Sequence, residues 1–281
     1  MKRVVFFFIL LKVYSQCFGQ GVELLNLQNR INAIAIMSTH IIQHPLQEAR
    51  KKTSFAVADS LDLILNNPKS FLLNFDSFKT ISVLKSDDNK IKILSFNYVS
   101  DSGYYTVFGF LLCNAKYYKN YFFRLLPNTM PLDSNAQELD HESWNAALYY
   151  SIFTFKARKK CHYLLTGFNG GTPWLASKTI EVLKLEKDGT PVFGAPVFFP
   201  LKQSKAKYRL LFKYSSQAYM TCRIEPKEQM IVISHLVPVR AEKSKNYEYY
   251  VPDGTYDYFK FKKGKWLQFE MLEDFQMNIA K

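Results

Sequence analysis

The sequence predicts a mainly β protein, an N-terminal α-helical hairpin followed by a large antiparallel β-meander. Three observations carry this prediction. Apolar residues at spacings of three, four and seven are concentrated in residues 22–66. From about residue 80 the texture changes to short runs of β-branched and aromatic residues separated by turn signals. No helical period interrupts those runs, which excludes a doubly wound α/β fold.

The chain opens with Lys2 and Arg3, the apolar run Val4 to Leu11, and the small residues Cys17 and Gly19. A positive start, a short apolar stretch and small residues at the −3 and −1 positions make a secretory signal peptide over residues 1–19. The run is too short for a membrane-spanning helix, which needs about 20 residues. No later segment is long and apolar enough either, so no transmembrane span is expected. The predicted location is the periplasm, the cell surface or the exterior.

Residues 20–78 are read as the hairpin. Leu24, Leu27, Ile31, Ile34 and Ile41 form one stripe, and Pro45 ends the first helix or opens the second. Phe55, Ala58, Leu61 and Leu65 form the second stripe, which stops at Asn66-Asn67-Pro68. Two short amphipathic helices cannot bury their apolar faces alone, so the hairpin is expected to pack on the β domain.

Residues 79–281 are read as that domain. Strands are predicted at 80–85, 90–99, 104–112, 118–125, 147–155, 161–167, 179–185, 192–199, 208–214, 218–224, 230–236, 256–262 and 265–270. Ser86-Asp87-Asp88-Asn89, Asp101-Ser102-Gly103, Asn169-Gly170-Gly171, Asp188-Gly189 and Lys263-Gly264 supply Asx turns or residues that tolerate positive φ. A long meander must close, stack or radiate to hide its edges. A propeller-like arrangement is preferred over a barrel or a sandwich, because the strands are too many for a small barrel.

Composition narrows the function classes. Apolar residues at 48% and charged residues at 22% are globular values and exclude wholesale disorder. The net charge of +13 points to an anionic partner, and for an exported chain an envelope polymer or glycan fits better than nucleic acid. Beyond the leader, Cys113, Cys161 and Cys222 are an odd, widely spaced set with no C-x-x-C pair. One bridge with a free thiol, or three buried thiols, would both suit them.

Five segments in order are Ser86 to Ile93, Trp144-Asn145-Ala146-Ala147-Leu148-Tyr149-Tyr150, Tyr163 to Asn169, Lys178 to Leu183, and Val251-Pro252-Asp253-Gly254-Thr255-Tyr256-Asp257. Together they resemble a family of uncharacterised exported proteins of Bacteroidota, over roughly residues 70–270. The resemblance implies export and carries no catalytic residues.

No G-x-S-x-G, H-E-x-x-H, P-loop or dinucleotide fingerprint occurs. His40 and His44 have metal-ligand spacing but no acidic or Cys partner nearby, so neither a metal nor another cofactor is expected. Asp140-His141-Glu142 is read as a polar loop, and His235 as a hydrogen-bonded structural residue. Asp253 and Asp257 flank a Gly turn and are candidate cation or ligand contacts, with an ordinary turn favoured. Lys159, Lys160, Lys262 and Lys263 fall at predicted hairpin ends and are candidate anion contacts, although lysines there also protect sheet edges. Asn169 and Trp174 offer an amide beside an aromatic face, which suits a sugar ring, and an anchoring role for the loop is favoured. The expected function is non-catalytic binding or structure in the cell envelope. The alternative is a secreted hydrolase, acting on carbohydrate through paired carboxylates.

Overall fold

The computed structural model describes residues 2–128, 138–157, 160–201 and 205–270, with side chains from residue 21 onward. The chain divides into two compact units, Met1–Ile81 and Ser82–Lys281.

The first unit contains α1 (Lys2–Gln43) and α2 (Gln47–Leu65). Helix α1 runs unbroken across residue 19, where the leader is expected to end. It stops before Pro45, because a proline ring disfavours helical backbone at the residue preceding it. Leu27, Ile31, Ile34 and Ile41 are buried, as are Val57, Ala58, Leu61, Ile64 and Leu65 of α2. Phe55, expected on the apolar face, is exposed. The stripe is rotated so that Val57 and Ile64, rather than Phe55, accompany Ala58 and Leu61. Within this unit Gln28 grips Asn74, its Nε2 donating to the carbonyl and its Oε1 accepting from the amide, both at 2.8 Å. No helix among the described residues is long and apolar enough to cross a membrane.

The second unit is built of strands in three sheets. In chain order they are β1 (Ser82–Lys85), β2 (Ile91–Val99), β3 (Tyr105–Cys113), β4 (Phe122–Leu125), β5 (Leu148–Ala157), β6 (Lys160–Asn169) and β7 (Leu175–Leu185). There follow β8 (Pro191–Phe193), β9 (Phe198–Phe199), β10 (Arg209–Ser215), β11 (Cys222–Glu225), β12 (Met230–Pro238), β13 (Tyr250–Lys262) and β14 (Lys265–Phe269). The first sheet keeps sequence order, β1-β2-β3-β4; the middle sheet is β10-β7-β6-β5 with β8 beside β7; the third is β11-β12-β13-β14-β9. Pairings are antiparallel except β14 with β9. Among the described residues the strands close into neither a barrel nor a ring of blades.

The middle sheet is covered on both faces, which period-2 alternation makes legible. Leu165 and Leu183 belong to a core with Ile91, Leu111 and Trp144. Their neighbours Leu164 and Val182 face the other way, into a core with Ile231, Phe259 and Trp266. Each fully buried Leu, Ile, Val or Phe contributes about 1.5–3 kcal/mol, so these two cores hold the unit together.

One charged pair lies inside this packing. Arg209 of β10 stands opposite Glu181 of β7 in the register, and its Nε is 3.2 Å from a Glu181 carboxylate oxygen. The other carboxylate oxygen accepts from the Tyr149 hydroxyl, which in turn accepts from Trp144 Nε1 at 2.9 Å. Arg209 Nη2 donates to the Phe193 carbonyl at 3.1 Å. Burial, reinforced by the Glu181 charge, raises the Tyr149 phenol well above its ordinary pKa, so it acts as a fixed donor.

Several strand ends lie a few residues from expectation, as at β4, β7 and β11, and two segments differ in kind. The run 192–199 is not one strand. Pro196, which lacks an amide, separates β8 from β9, and the chain passes there from the middle sheet to the third. Asp253-Gly254-Thr255 is not a turn between strands but an excursion inside β13. Ser234 pairs with Tyr256 and Leu236 with Pro252, so His235 faces three residues. Gly254, at φ +95°, permits the bulge.

Candidate functional site

At one end of the middle sheet, beyond Ile180, the core against the third sheet opens into a cleft of about 1100 Å³. Tyr150, Phe168, Lys178 and Tyr214 supply its floor, and Thr221 and Cys222 the opposing wall. Two loops form the rim, around Ser102 and around Thr172.

The rim is fixed by local chemistry. Tyr105 lays its ring directly over Gly170, where a Cβ would come within 2.2 Å of the ring, so only glycine fits. The Tyr105 amide donates to the Gly171 carbonyl at 3.3 Å, and the Tyr105 ring meets Phe168 edge-on at 6.0 Å. Asn169 stabilises the same loop. Its Nδ2 donates to the Ala146 carbonyl at 3.0 Å and its Oδ1 accepts from the Gly171 amide at 2.8 Å. Both ends of the Asn169 amide are therefore engaged within the protein.

Trp174 does not anchor the loop, contrary to the favoured expectation. It is 60% exposed. The backbone is held instead by Ser216, whose amide donates to the Trp174 carbonyl at 3.0 Å and whose hydroxyl donates to the Pro173 carbonyl at 2.5 Å. The indole is thus a solvent-facing ring on an immobilised backbone.

Lys178 is the residue the sequence reading missed. It occupies an inward position of β7, between Ala176 and Ile180 on the same face, and is only 8% exposed. Its Nζ lies 5.1 Å from the ring centre of Tyr150 and 5.2 Å from that of Tyr219. Among the described residues it has no carboxylate and no hydrogen-bond acceptor. Cation–π attraction of about 0.5–2 kcal/mol per ring offsets only part of the desolvation of an ammonium. Burial accordingly holds its pKa below the ordinary lysine value. Tyr150 is fixed by donating to the Cys222 carbonyl at 2.9 Å, whereas Tyr219 is 82% exposed at the mouth.

The other sequence-derived candidates are dispersed. Lys160 opens β6 and Asn169 closes it, so they stand about 30 Å apart at a strand rise of ~3.3 Å per residue. Lys262 pairs with Lys265 across the turn that contains Lys263. This turn adjoins the end of β5, since a Cβ on Gly264 would lie 3.8 Å from that of Ala157. Lys160, Lys262 and Lys263 therefore share the end of the sheets remote from the cleft. Lys159 lies outside the described residues.

Asp253 and Asp257 do not converge on a cation. Asp253 is exposed and caps its own bulge, accepting from the Thr255 amide at 2.9 Å and hydroxyl at 2.8 Å. Asp257 is buried and accepts from His235 Nδ1 at 3.0 Å. That hydrogen bond raises the His235 pKa, although burial opposes it. His44 lies beyond the end of α1, where its Nδ1 accepts from the Leu46 amide at 3.1 Å. Asp140 accepts from the Glu142 amide and the Ser143 hydroxyl, which makes that segment a polar turn. Among the described residues no three metal-ligating side chains cluster.

Cys113, Cys161 and Cys222 are free thiols. Desolvation pushes Cys222, on the cleft wall, up to about 11 and Cys113 up to about 12, so neither is a thiolate at neutral pH. The cleft thus presents aromatic faces around a buried lysine. No protein-family model, curated protein or solved structure matches the chain.

Proposed function

We propose that this is an exported, non-catalytic binding protein of the cell envelope whose cleft takes an anionic, ring-bearing ligand. The observation that carries the reading is Lys178, a buried ammonium in an aromatic cleft with no carboxylate within ion-pair distance among the described residues. A ligand carboxylate against Nζ would supply that anion, and the tyrosine faces would cover the ligand's ring. The cleft volume of about 1100 Å³ lies just above the usual range for small-molecule sites and leaves room for a ligand of more than one ring.

Export is proposed from the leader-like start at Lys2 and Arg3, in keeping with the resemblance to exported proteins of Bacteroidota. A propeller-like arrangement is the finer fold reading. The meander order of the first sheet supports it, and the stacking of two sheets on a shared middle one weighs against it. The hydrolase alternative has less support. Asp101 is the sole carboxylate among the described residues lining the cleft, and glycoside hydrolysis calls for a facing pair.

Calorimetric titration with glucuronate tests the proposal. Lys178→Met is expected to weaken binding roughly 10–100-fold, the range for a charge-assisted hydrogen bond. Lys160→Glu and Lys262→Glu, at the far end of the sheets, should leave it unchanged. An unaltered affinity in Lys178→Met, with a loss in the far-end variants, would instead favour a diffuse basic surface.

A further inference from the structure

Beside the cleft runs a second depression of about 520 Å³, lined by Trp174, Gln217, Glu248 and Tyr249. Ser216 and Ala218 line both spaces, so a single ridge of the β10–β11 connection divides them. The exposed indole of Trp174 lines the depression on the far side of this ridge.

Resting on the binding reading above, the geometry points to an acidic oligosaccharide as the ligand, with a uronic acid at Lys178 and a neutral sugar stacked on Trp174. Three features argue for this order. The indole is exposed and has only two side-chain torsions to fix, and its backbone is held by Ser216, so it offers a flat face at modest entropy cost. Gln217 and Glu248 lie in the same groove and supply the polar groups that sugar hydroxyls need. The charges lining the two spaces differ: the cleft has Lys178 and Arg223 against Asp101, and the groove has Glu248, with Lys243 Nζ 4.6 Å from the ring centre of Tyr249. Lys178 attracts a carboxylate into the cleft, whereas Glu248 repels one from the groove. A chain of alternating uronic acid and neutral N-acetylated hexosamine satisfies both spaces, and a chain of uronic acids alone does not.

The test is a calorimetric comparison of glucuronate, a hyaluronan tetrasaccharide and tetragalacturonate. The alternating tetrasaccharide is expected to bind about 2–10-fold tighter than glucuronate, the range for a further ring packed on an aromatic face. Trp174→Ala should abolish this gain and leave glucuronate affinity unchanged. Glu248→Gln should improve tetragalacturonate relative to the alternating chain. Equal affinities for the monosaccharide and the tetrasaccharide, or a tetrasaccharide affinity indifferent to Trp174→Ala, would overturn the second subsite. If glucuronate binding still depends on Lys178 in that case, the cleft reading stands without it. If the wild-type protein binds none of the three, both readings fall.

Discussion

Urea unfolding of Arg209→Met is expected to show a stability loss of about 3–5 kcal/mol, because the change leaves the Glu181 carboxylate buried without its counter-ion. Both side chains of the pair are fully buried. Glu181→Leu should cost a similar amount, since it also removes the acceptor of the Tyr149 hydroxyl. The double variant Glu181→Leu/Arg209→Met should be less damaging than either single change. It leaves no charge unpaired, and apolar replacements for buried ion pairs are often close to neutral. A loss below about 1 kcal/mol in Arg209→Met would place the pair in contact with water, at odds with its burial.

The second large effect is expected at Trp144, where replacement by Ala should cost about 3–5 kcal/mol in the same assay. Its ring is fully buried in the core between the first and middle sheets, and Nε1 donates to Tyr149. The indole fits because position 109 on β3 has no side chain. A Cβ there would lie 2.6 Å from Trp144 Cη2. Gly109→Ala should therefore destabilise as well, by about 1–3 kcal/mol through overpacking. Trp144 and Arg209 belong to one hydrogen-bonded chain through Tyr149 and Glu181, so their losses should not add. Strict additivity would show that the chain does not act as a unit.

Much of the β architecture is legible in the sequence because its turns carry their own chemistry. Ser86 to Asn89, Asp101-Ser102-Gly103 and Lys263-Gly264 each separate two strands in the structure, and each contains residues suited to tight reversal. The errors arise where local chemistry is ambiguous. Pro-Asp-Gly reads as a turn, yet at residues 252–254 the pairing with β12 resumes on both sides and makes it a bulge. The run 192–199 looks like one apolar strand, and only the tertiary pairing reveals that it serves two sheets.

The site was half visible. The loop Asn169 to Trp174 stands out as a turn bearing an aromatic residue, and it does border the cleft. The basic hairpin ends stand out equally, yet lie far from it. Lys178 gives a fainter signal. Along β7, Ala176, Ile180 and Val182 face one side with Lys178, while Thr179 and Leu183 face the other with Glu181. Between Ala176 and Leu183 the strand carries one charge on each of two otherwise inward faces, which marks two special positions, one of which is paired by Arg209 and the other open to the cleft. Composition and motif spacing do not reveal this; the period-2 alternation does, once the strand is known to be buried on both sides.

Ligand binding in the cleft depends on Lys178 being a desolvated ammonium that a ligand anion completes. The most direct measurement is the pH titration of its side-chain Cε signal by NMR, assigned through Lys178→Arg, with and without glucuronate. In the free protein Lys178 should titrate below the ordinary lysine value, because burial disfavours the charged form. Its charging then opposes folding at neutral pH, and that penalty is full below the lowered folded pKa and fades between it and the ordinary lysine value. Binding of a carboxylate should reverse the shift, raising the Lys178 pKa and taking up a proton at pH values between the free and bound pKa. A Lys178 that titrates with the exposed lysines and does not move when glucuronate is added would contradict the account.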